Sequence, residues 1–143
     1  MRVDCALLAD AATVREGLLH ILGGGLSYAN RTEFPAPMLM CVGLRILVHP
    51  TEIESVHVVR VIVLDADGHQ IDEATMGFNP PPEEVRAAAV PGEEWSLPLA
   101  LNLYGVQLPH AGGYSVEVLI DNNHHASLGF RAQTPPVQGG TAA

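Results

Sequence analysis

Histidines and acidic side chains in two segments form the pattern of this sequence that is closest to a metal site. The segment HPTEIESVH carries His49, Glu52 and His57, and the segment DNNHH carries His124. Imidazole and carboxylate groups are ordinary ligands of zinc and other divalent metals, at about 2 Å. If the first segment connects two strands of a hairpin, His49 and His57 become near neighbours across the pair. The candidate metal ligands are therefore His49, Glu52, His57 and His124.

The second of these segments also has a simpler interpretation as a turn. If both lie in a strand, His124 and His125 point to opposite faces, so they cannot easily hold one metal together. Asp121, Asn122 and Asn123 are turn residues, which accept a left-handed backbone or bond their own main chain. We therefore predict a hairpin turn here, and metal binding through His124 needs partners from another loop.

The sequence carries no local motif of catalysis. No Gly-x-Ser-x-Gly segment places a serine beside a base, and the glycines at 23–25 lack the lysine and the spacing of a phosphate-binding loop. Asp65 and Asp67 are spaced like calcium ligands, but Met76 stands where such a loop needs its glutamate. The segment DADG instead predicts a hairpin turn. We expect a non-catalytic protein without a cofactor, unless the candidate ligands bind a divalent metal.

The charge of the chain removes nucleic acid from the expected partners. Acidic residues outnumber basic residues by 16 to 7, and the formal net charge is −9. The basic residues are arginines scattered one at a time, whereas phosphate binding needs clustered positive charge. The N-terminus lacks the apolar core of a signal peptide, and no apolar stretch approaches the roughly 20 residues that span a bilayer. We expect a cytoplasmic protein that binds neither nucleic acid nor membranes.

Alternation of apolar and polar residues predicts a mainly β fold. YSVEVLID and HASLGFRAQ alternate cleanly on either side of the predicted turn, and DADG joins VHVVRVIVL to HQIDEATMGF. MLMCVGLRILV is a further strand, and Pro98 predicts that WSLPLALNL is an edge strand or is broken at the proline. NPPPEEVRAAAVPG predicts one short helix near 82–89. In the N-terminal segment, the pattern favours strands at 3–9 and 17–22, joined by an irregular loop, over a helix.

These elements predict one antiparallel β-sandwich, immunoglobulin-like in architecture, with about seven to nine strands. The domain covers residues 1–133, and the Pro- and Gly-rich residues 134–143 predict a flexible tail. If successive strands run antiparallel, chain direction places loops 49–55, 79–94 and 121–125 at one end of the domain. The segments DADG and HAGG then lie at the other end.

The strand predicted at 56–64 is apolar on both faces. One face carries Val59, Val61 and Val63, and the alternate positions are largely apolar as well. Because a strand of a single sandwich usually has one solvated face, we expect a partner to cover its outer face. We predict that Val59, Val61 and Val63 form this interaction face, on which a second copy or another protein docks. Each such side chain contributes about 1.5–3 kcal/mol when fully buried.

The chain resembles an uncharacterised family of small bacterial, mainly actinobacterial, β-sandwich proteins of unknown function. The resemblance rests on CALLADAATVREGLLHILGGG, FPAPMLMCVGLRILVHPTE, VIVLDADG and LNLYGVQLPHAGGYSVEVLIDNNHHASLGFRA. It implies an antiparallel sandwich and assigns no activity, so no catalytic residues are carried over. The first hypothesis is a protein-interaction or assembly module that self-associates, with a homodimer favoured. The second is a metal- or small-ligand-binding domain that uses 49–57 and 121–125, and a hydrolytic enzyme comes third.

Overall fold

The computed structural model describes residues 1–136. This part of the chain folds into eleven strands and one short helix, α1, at Glu83–Ala87. The strands are β1 Arg2–Arg15, β2 Leu18–Gly24, β3 Tyr28–Asn30, β4 Ala36–Pro37, β5 Cys41–Val48, β6 His57–Asp65, β7 Gln70–Phe78, β8 Trp95–Asn102, β9 Gln107–Leu108, β10 Gly112–Ile120 and β11 Asn123–Gln133. The prediction of a mainly β chain with one short helix is confirmed. Residues 137–143 of the predicted tail lie outside the described residues.

The longer strands form two curled sheets that share one hydrophobic core. One sheet has the order β2-β1-β5-β8, the other has the order β3-β11-β10-β6-β7, and β4 pairs with β9 separately. Buried side chains of both sheets meet in the core, among them Leu44, Val61 and Val118. β8 lies at a sheet edge, as Pro98 predicts, and pairs with β5 without a break. Within residues 1–136, no helix is long and apolar enough to cross a membrane.

β1 and β2 form a long hairpin where the sequence predicted an irregular loop. Both segments are strands, as expected, but β1 continues to Arg15 instead of ending at residue 9. Glu16 and Gly17 connect the strands with φ angles of 53° and 73°, the backbone of a two-residue hairpin turn. The prediction failed at 10–16 because Asp10, Ala11 and Ala12 are residue types depleted in strands, and they hide the strand that Thr13 and Val14 continue.

The β1–β2 hairpin curls over the outer face of β5. Ile21 and Leu19 cover Gly43 so closely that a methyl group at position 43 would lie 2.6 Å from Ile21 Cδ1. Glycine is therefore the residue that allows this approach. Both faces of β5 are buried in consequence, and Arg45 is the exposed exception.

β6 packs the opposite face against the core from the one that the sequence analysis predicted. Val59, Val61 and Val63 are fully buried in the core, so they cannot form an outer interaction face. Ile62 and Leu64 lie on the outer face and are partly buried. The sequence showed that both faces are apolar, but a period of two residues does not say which face meets the core. The predicted interaction face was therefore wrong.

Candidate functional site

β6 begins and ends with a buried polar side chain. Its first residue is His57 and its last is Asp65. Among residues 1–136, these two are the polar or charged residues that are buried. The loops around them are grouped as chain direction predicted. His57 meets the turn at Asp121, and Asp65 lies 3.9 Å from His110, measured from Oδ2 to Nε2. The two ends are therefore the places where loop side chains from distant parts of the sequence converge.

His57 has hydrogen-bond partners on both ring nitrogens. Nδ1 donates to Oδ2 of Asp121 over 2.5 Å, and Nε2 donates to the carbonyl oxygen of Glu52 over 2.8 Å. The other oxygen of Asp121 accepts the backbone N–H of Val58 at 3.0 Å. Because both partners of the ring are acceptors, both ring nitrogens carry protons and the imidazole is a cation. We call Glu52, His57 and Asp121 the His57 cluster.

The pKa directions agree with an ion pair in this cluster. Burial alone would lower the pKa of His57, but the hydrogen bonds to Glu52 and Asp121 outweigh it and raise the pKa. Burial would raise the pKa of Asp121, but the bonds from His57 and from the Val58 amide lower it. The charged forms of both side chains therefore stabilise each other in the folded chain.

Two of the four predicted metal ligands come together in this cluster. The backbone of Glu52 holds His57, and the carboxylate of Glu52 lies 2.6 Å from the amino nitrogen of Met1. Since both nitrogens of His57 are protonated and bonded, its ring has no lone pair to offer a metal.

The other two predicted ligands are bound elsewhere. His49 Nδ1 accepts a hydrogen bond from the Thr51 hydroxyl over 2.8 Å, within its own turn. His124 lines a shallow cavity of about 310 Å³ together with Glu52, but its Nε2 donates to the carboxylate of Glu117 over 2.7 Å. The four side chains therefore contact different partners and do not converge on one common point.

The turn that the sequence predicted in the DNNHH segment is present, and β11 begins within this segment at Asn123. Asp121 and Asn122 connect β10 and β11 with φ angles of 50° and 66°, which is the backbone of a two-residue hairpin turn. The pairing register of β10 and β11 shifts between Val118 and Leu119, so that His124 lies opposite Leu119. The aspartate of this turn also serves the His57 cluster, a role that the sequence did not reveal.

A second polar cluster is centred on Glu117, and the sequence did not predict it. Its carboxylate accepts hydrogen bonds from His124, from Ser115 Oγ at 3.0 Å and from Ser127 Oγ at 2.9 Å. Burial would raise the pKa of Glu117, but these donors lower it. The signal in the sequence was the alternation that places Ser115 and Glu117 on one face of β10.

Asp65 is bonded through one oxygen by backbone amides and through the other by a histidine. Its Oδ1 accepts the backbone N–H groups of Asp67 at 3.0 Å and His69 at 2.8 Å, which closes the predicted DADG turn. Its Oδ2 accepts a long hydrogen bond from His69 Nδ1 at 3.3 Å and lies 3.9 Å from His110 Nε2. Burial would raise the pKa of Asp65, but the two amides and His69 lower it, so the carboxylate stays ionised. We call Asp65, Asp67, His69 and His110 the Asp65 cluster.

An apolar groove lies beside α1 at the His57 end of the molecule. Its volume is about 480 Å³, and its lining includes Ile53, Val85 and Trp95. Charged side chains line it as well, and Arg86 among them pairs with Glu54 through one guanidinium nitrogen at 3.4 Å; the others are Glu84, Glu93 and Glu94. Within residues 1–136, Nε of Arg86 is the buried side-chain nitrogen or oxygen that has no hydrogen-bond partner. The groove therefore combines an apolar wall with a lining that carries more acidic than basic side chains.

A protein-family comparison decides the relationship of the chain. The model of a family of unknown function, DUF6941, matches residues 4–133. The chain belongs to this family. The expected membership of an uncharacterised family is thereby confirmed, whereas the bacterial origin stays a prediction. Searches of the curated proteins and of the solved structures found no match to this DUF6941 chain.

Proposed function

We propose that this DUF6941 chain is a non-catalytic assembly module that forms a homodimer through the edge of its β1–β2 hairpin. The observation that carries the proposal is the exposure of Leu18 and Leu22, 61% and 71%, on one face of β2. β2 is also the outermost strand of its sheet. Large apolar side chains beside an unpaired strand edge are the usual mark of an interaction surface. We call this surface the hairpin edge.

Pairing of two hairpin edges satisfies both kinds of exposed group. The unpaired N–H and C=O groups of β2 can pair with those of a second copy, and a two-fold axis makes the two strands antiparallel. The leucines then pack against each other, and each contributes up to about 1.5–3 kcal/mol on full burial. The expected product is one continuous sheet built from the β2-β1-β5-β8 sheets of both copies.

Other properties belong to the same proposal. We infer an immunoglobulin-like β-sandwich, supported by the single core that both sheets share. We also infer a cytoplasmic location, supported by the free thiols of Cys5 and Cys41, which a reducing compartment preserves. The net charge of −9 supports protein rather than nucleic acid or an anionic membrane as the partner.

Sedimentation velocity on charge substitutions tests the homodimer. Leu22→Asp should convert a dimer into a folded monomer, because it places a carboxylate in the shared interface. The matched control is Val56→Asp, since Val56 is 62% exposed but lies before β6, away from the hairpin. It should leave the dimer intact. A wild-type chain that stays monomeric across the concentration range, or a Leu22→Asp dimer of unchanged strength, would overturn the proposal.

A further inference from the structure

The Asp65 cluster has a rigid centre. Asp65 is buried at the end of β6, and its carboxylate cannot rotate freely because two backbone amides hold Oδ1. The remaining oxygen, Oδ2, is therefore presented in a fixed direction. That direction is toward His69 and His110, which come from two different turns. A carboxylate that is held by one oxygen and aimed with the other is preorganised as a ligand.

His110 is oriented by its own neighbours. Its Nδ1 donates to the backbone carbonyl of Ala111 over 3.1 Å, which leaves a lone pair on Nε2, the nitrogen that faces Asp65. Its ring stacks on Tyr114 with ring centres 5.7 Å apart. Tyr114 in turn stacks on Phe130 in the core and donates its hydroxyl to the His110 carbonyl at 2.6 Å. Histidines that bind metals are commonly fixed in this way, by a carbonyl that takes the other N–H.

Asp67 and His69 complete the cluster at the surface. One ligand atom from each of Asp65, Asp67 and His69 lies within 4.8 Å of the other two. Four ligand atoms around a tetrahedral zinc ion, bonded at about 2.0–2.1 Å, lie about 3.3 Å apart. The Asp65 Oδ2 distances of 3.3 Å to His69 and 3.9 Å to His110 are close to this spacing. Because His69 and His110 are 77% and 54% exposed, they can close the remainder by small rotations.

We propose that the Asp65 cluster binds a divalent transition-metal ion of the zinc type, with Asp65, His69 and His110 as ligands and Asp67 or water in the fourth position. Two imidazoles select such an ion over calcium and magnesium, which prefer oxygen ligands. The site lies at the opposite end of the molecule from the four ligands that the sequence suggested. It is separate from the hairpin edge, so it extends the proposed function without depending on it.

Titration calorimetry and native mass spectrometry test the site on the full chain after metal is removed with a chelator. Zinc chloride should bind with one ion per chain, and cobalt chloride should give the visible absorption bands of a tetrahedral complex. His69→Ala and His110→Ala should each weaken zinc binding at least tenfold, and both leave the core intact because the two side chains are exposed. His49→Ala is the matched control, an exposed turn histidine at the other end, and should bind zinc like the wild type.

Each alternative outcome overturns the proposal. Zinc binding that survives both His69→Ala and His110→Ala places the ion elsewhere on the chain. A chain that prefers calcium chloride to zinc chloride contradicts the role of the imidazoles. No binding of zinc to a chain with native circular dichroism shows that the cluster is a turn and nothing more.

Discussion

His57 at the start of β6 and Asp65 at its end are both buried, but their partners differ. In the His57 cluster, both ring nitrogens and both carboxylate oxygens of Asp121 have partners within 3.0 Å. In the Asp65 cluster, one oxygen is satisfied in the same way, whereas the other faces two exposed imidazoles at 3.3 and 3.9 Å. Burial of a charge is therefore not what separates a structural cluster from a binding site. The difference is that the partners of Asp65 Oδ2 are exposed imidazoles at longer distances, which can turn toward an added ion.

The strand between the two ends offers the most severe test of this arrangement. Val61→Asp should lower the free energy of unfolding by more than about 4 kcal/mol, because it places a carboxylate without a partner in the core. Its neighbour Ile62 lies on the outer face, so Ile62→Asp should cost about 1 kcal/mol and serves as the control. Urea unfolding followed by circular dichroism measures both. A Val61→Asp chain of native stability would show that the assigned faces of β6 are wrong.

Addition of zinc should stabilise the chain through the Asp65 end alone. At a free zinc concentration of 100 times Kd, an ion that binds only the folded state raises the free energy of unfolding by about 2.7 kcal/mol. His110→Ala should lose this gain, while His49→Ala should keep it. Thermal unfolding with zinc and with a chelator measures the difference. An equal gain in both variants would contradict an open Asp65 end.

Removal of the carboxylate charge should lower the stability of the chain by different amounts at the two ends of β6. Asp121→Asn keeps a residue that tolerates the left-handed turn and can still accept the Val58 amide, but it leaves the His57 cation without its counter-charge. We expect a loss of about 1 kcal/mol, the low end of the range for a broken buried pair, because Asp121 is partly exposed. Asp65→Asn keeps both backbone bonds and should cost less in the absence of metal. Urea unfolding that ranks the two variants in the reverse order would contradict the comparison.

The pH dependence of stability should carry the signature of the His57 cluster. Because folding raises the pKa of His57, its contribution is fully present below the pKa of the unfolded histidine and is lost as the pH rises through the raised value. Because folding lowers the pKa of Asp121, its contribution is present above the unfolded value and is lost as the pH falls through the lowered one. The pair therefore contributes most between these limits.

His57→Gln should flatten the alkaline side of this profile. Glutamine can still donate to the Glu52 carbonyl, so the variant removes the titration and retains one hydrogen bond. Thermal unfolding from mildly acidic to alkaline pH measures the slope. A wild-type slope on the alkaline side in His57→Gln would assign the effect to another group.

The elements of this fold were more predictable than their orientation. The alternation in β10 and β11, the DADG turn and the helix near 82–89 follow from local rules, and the structure has them all. The facing of β6 does not follow from local rules, because Val61 and Ile62 are equally apolar and only tertiary packing decides which enters the core. The covered outer face of β5 depends in the same way on the hairpin that packs on Gly43.

At the two polar ends, the sequence predicted which loops lie together but not which side chains contact each other. Chain direction correctly grouped the DADG and HAGG turns, and it also grouped the loop before His57 with the turn at Asp121. The contacts themselves join residues 45 and 64 positions apart in the sequence, such as Asp65 with His110 and His57 with Asp121. Local spacing carries no signal for such pairs. The sequence therefore favoured His49 and His57, which are close along the chain.

The length of β6 has a consequence for how its two ends can act together. Nine residues separate the ends by roughly 27 Å, at about 3.4 Å per residue. Even without screening by salt, two unit charges at this distance interact by only about 0.2–0.6 kcal/mol for effective dielectric constants of about 80 to 20. A cation that arrives at Asp65 therefore leaves the proton on His57 undisturbed. Metal binding at Asp65 and protonation of His57 are then independent events, and a change in metal concentration does not alter the response of the chain to pH.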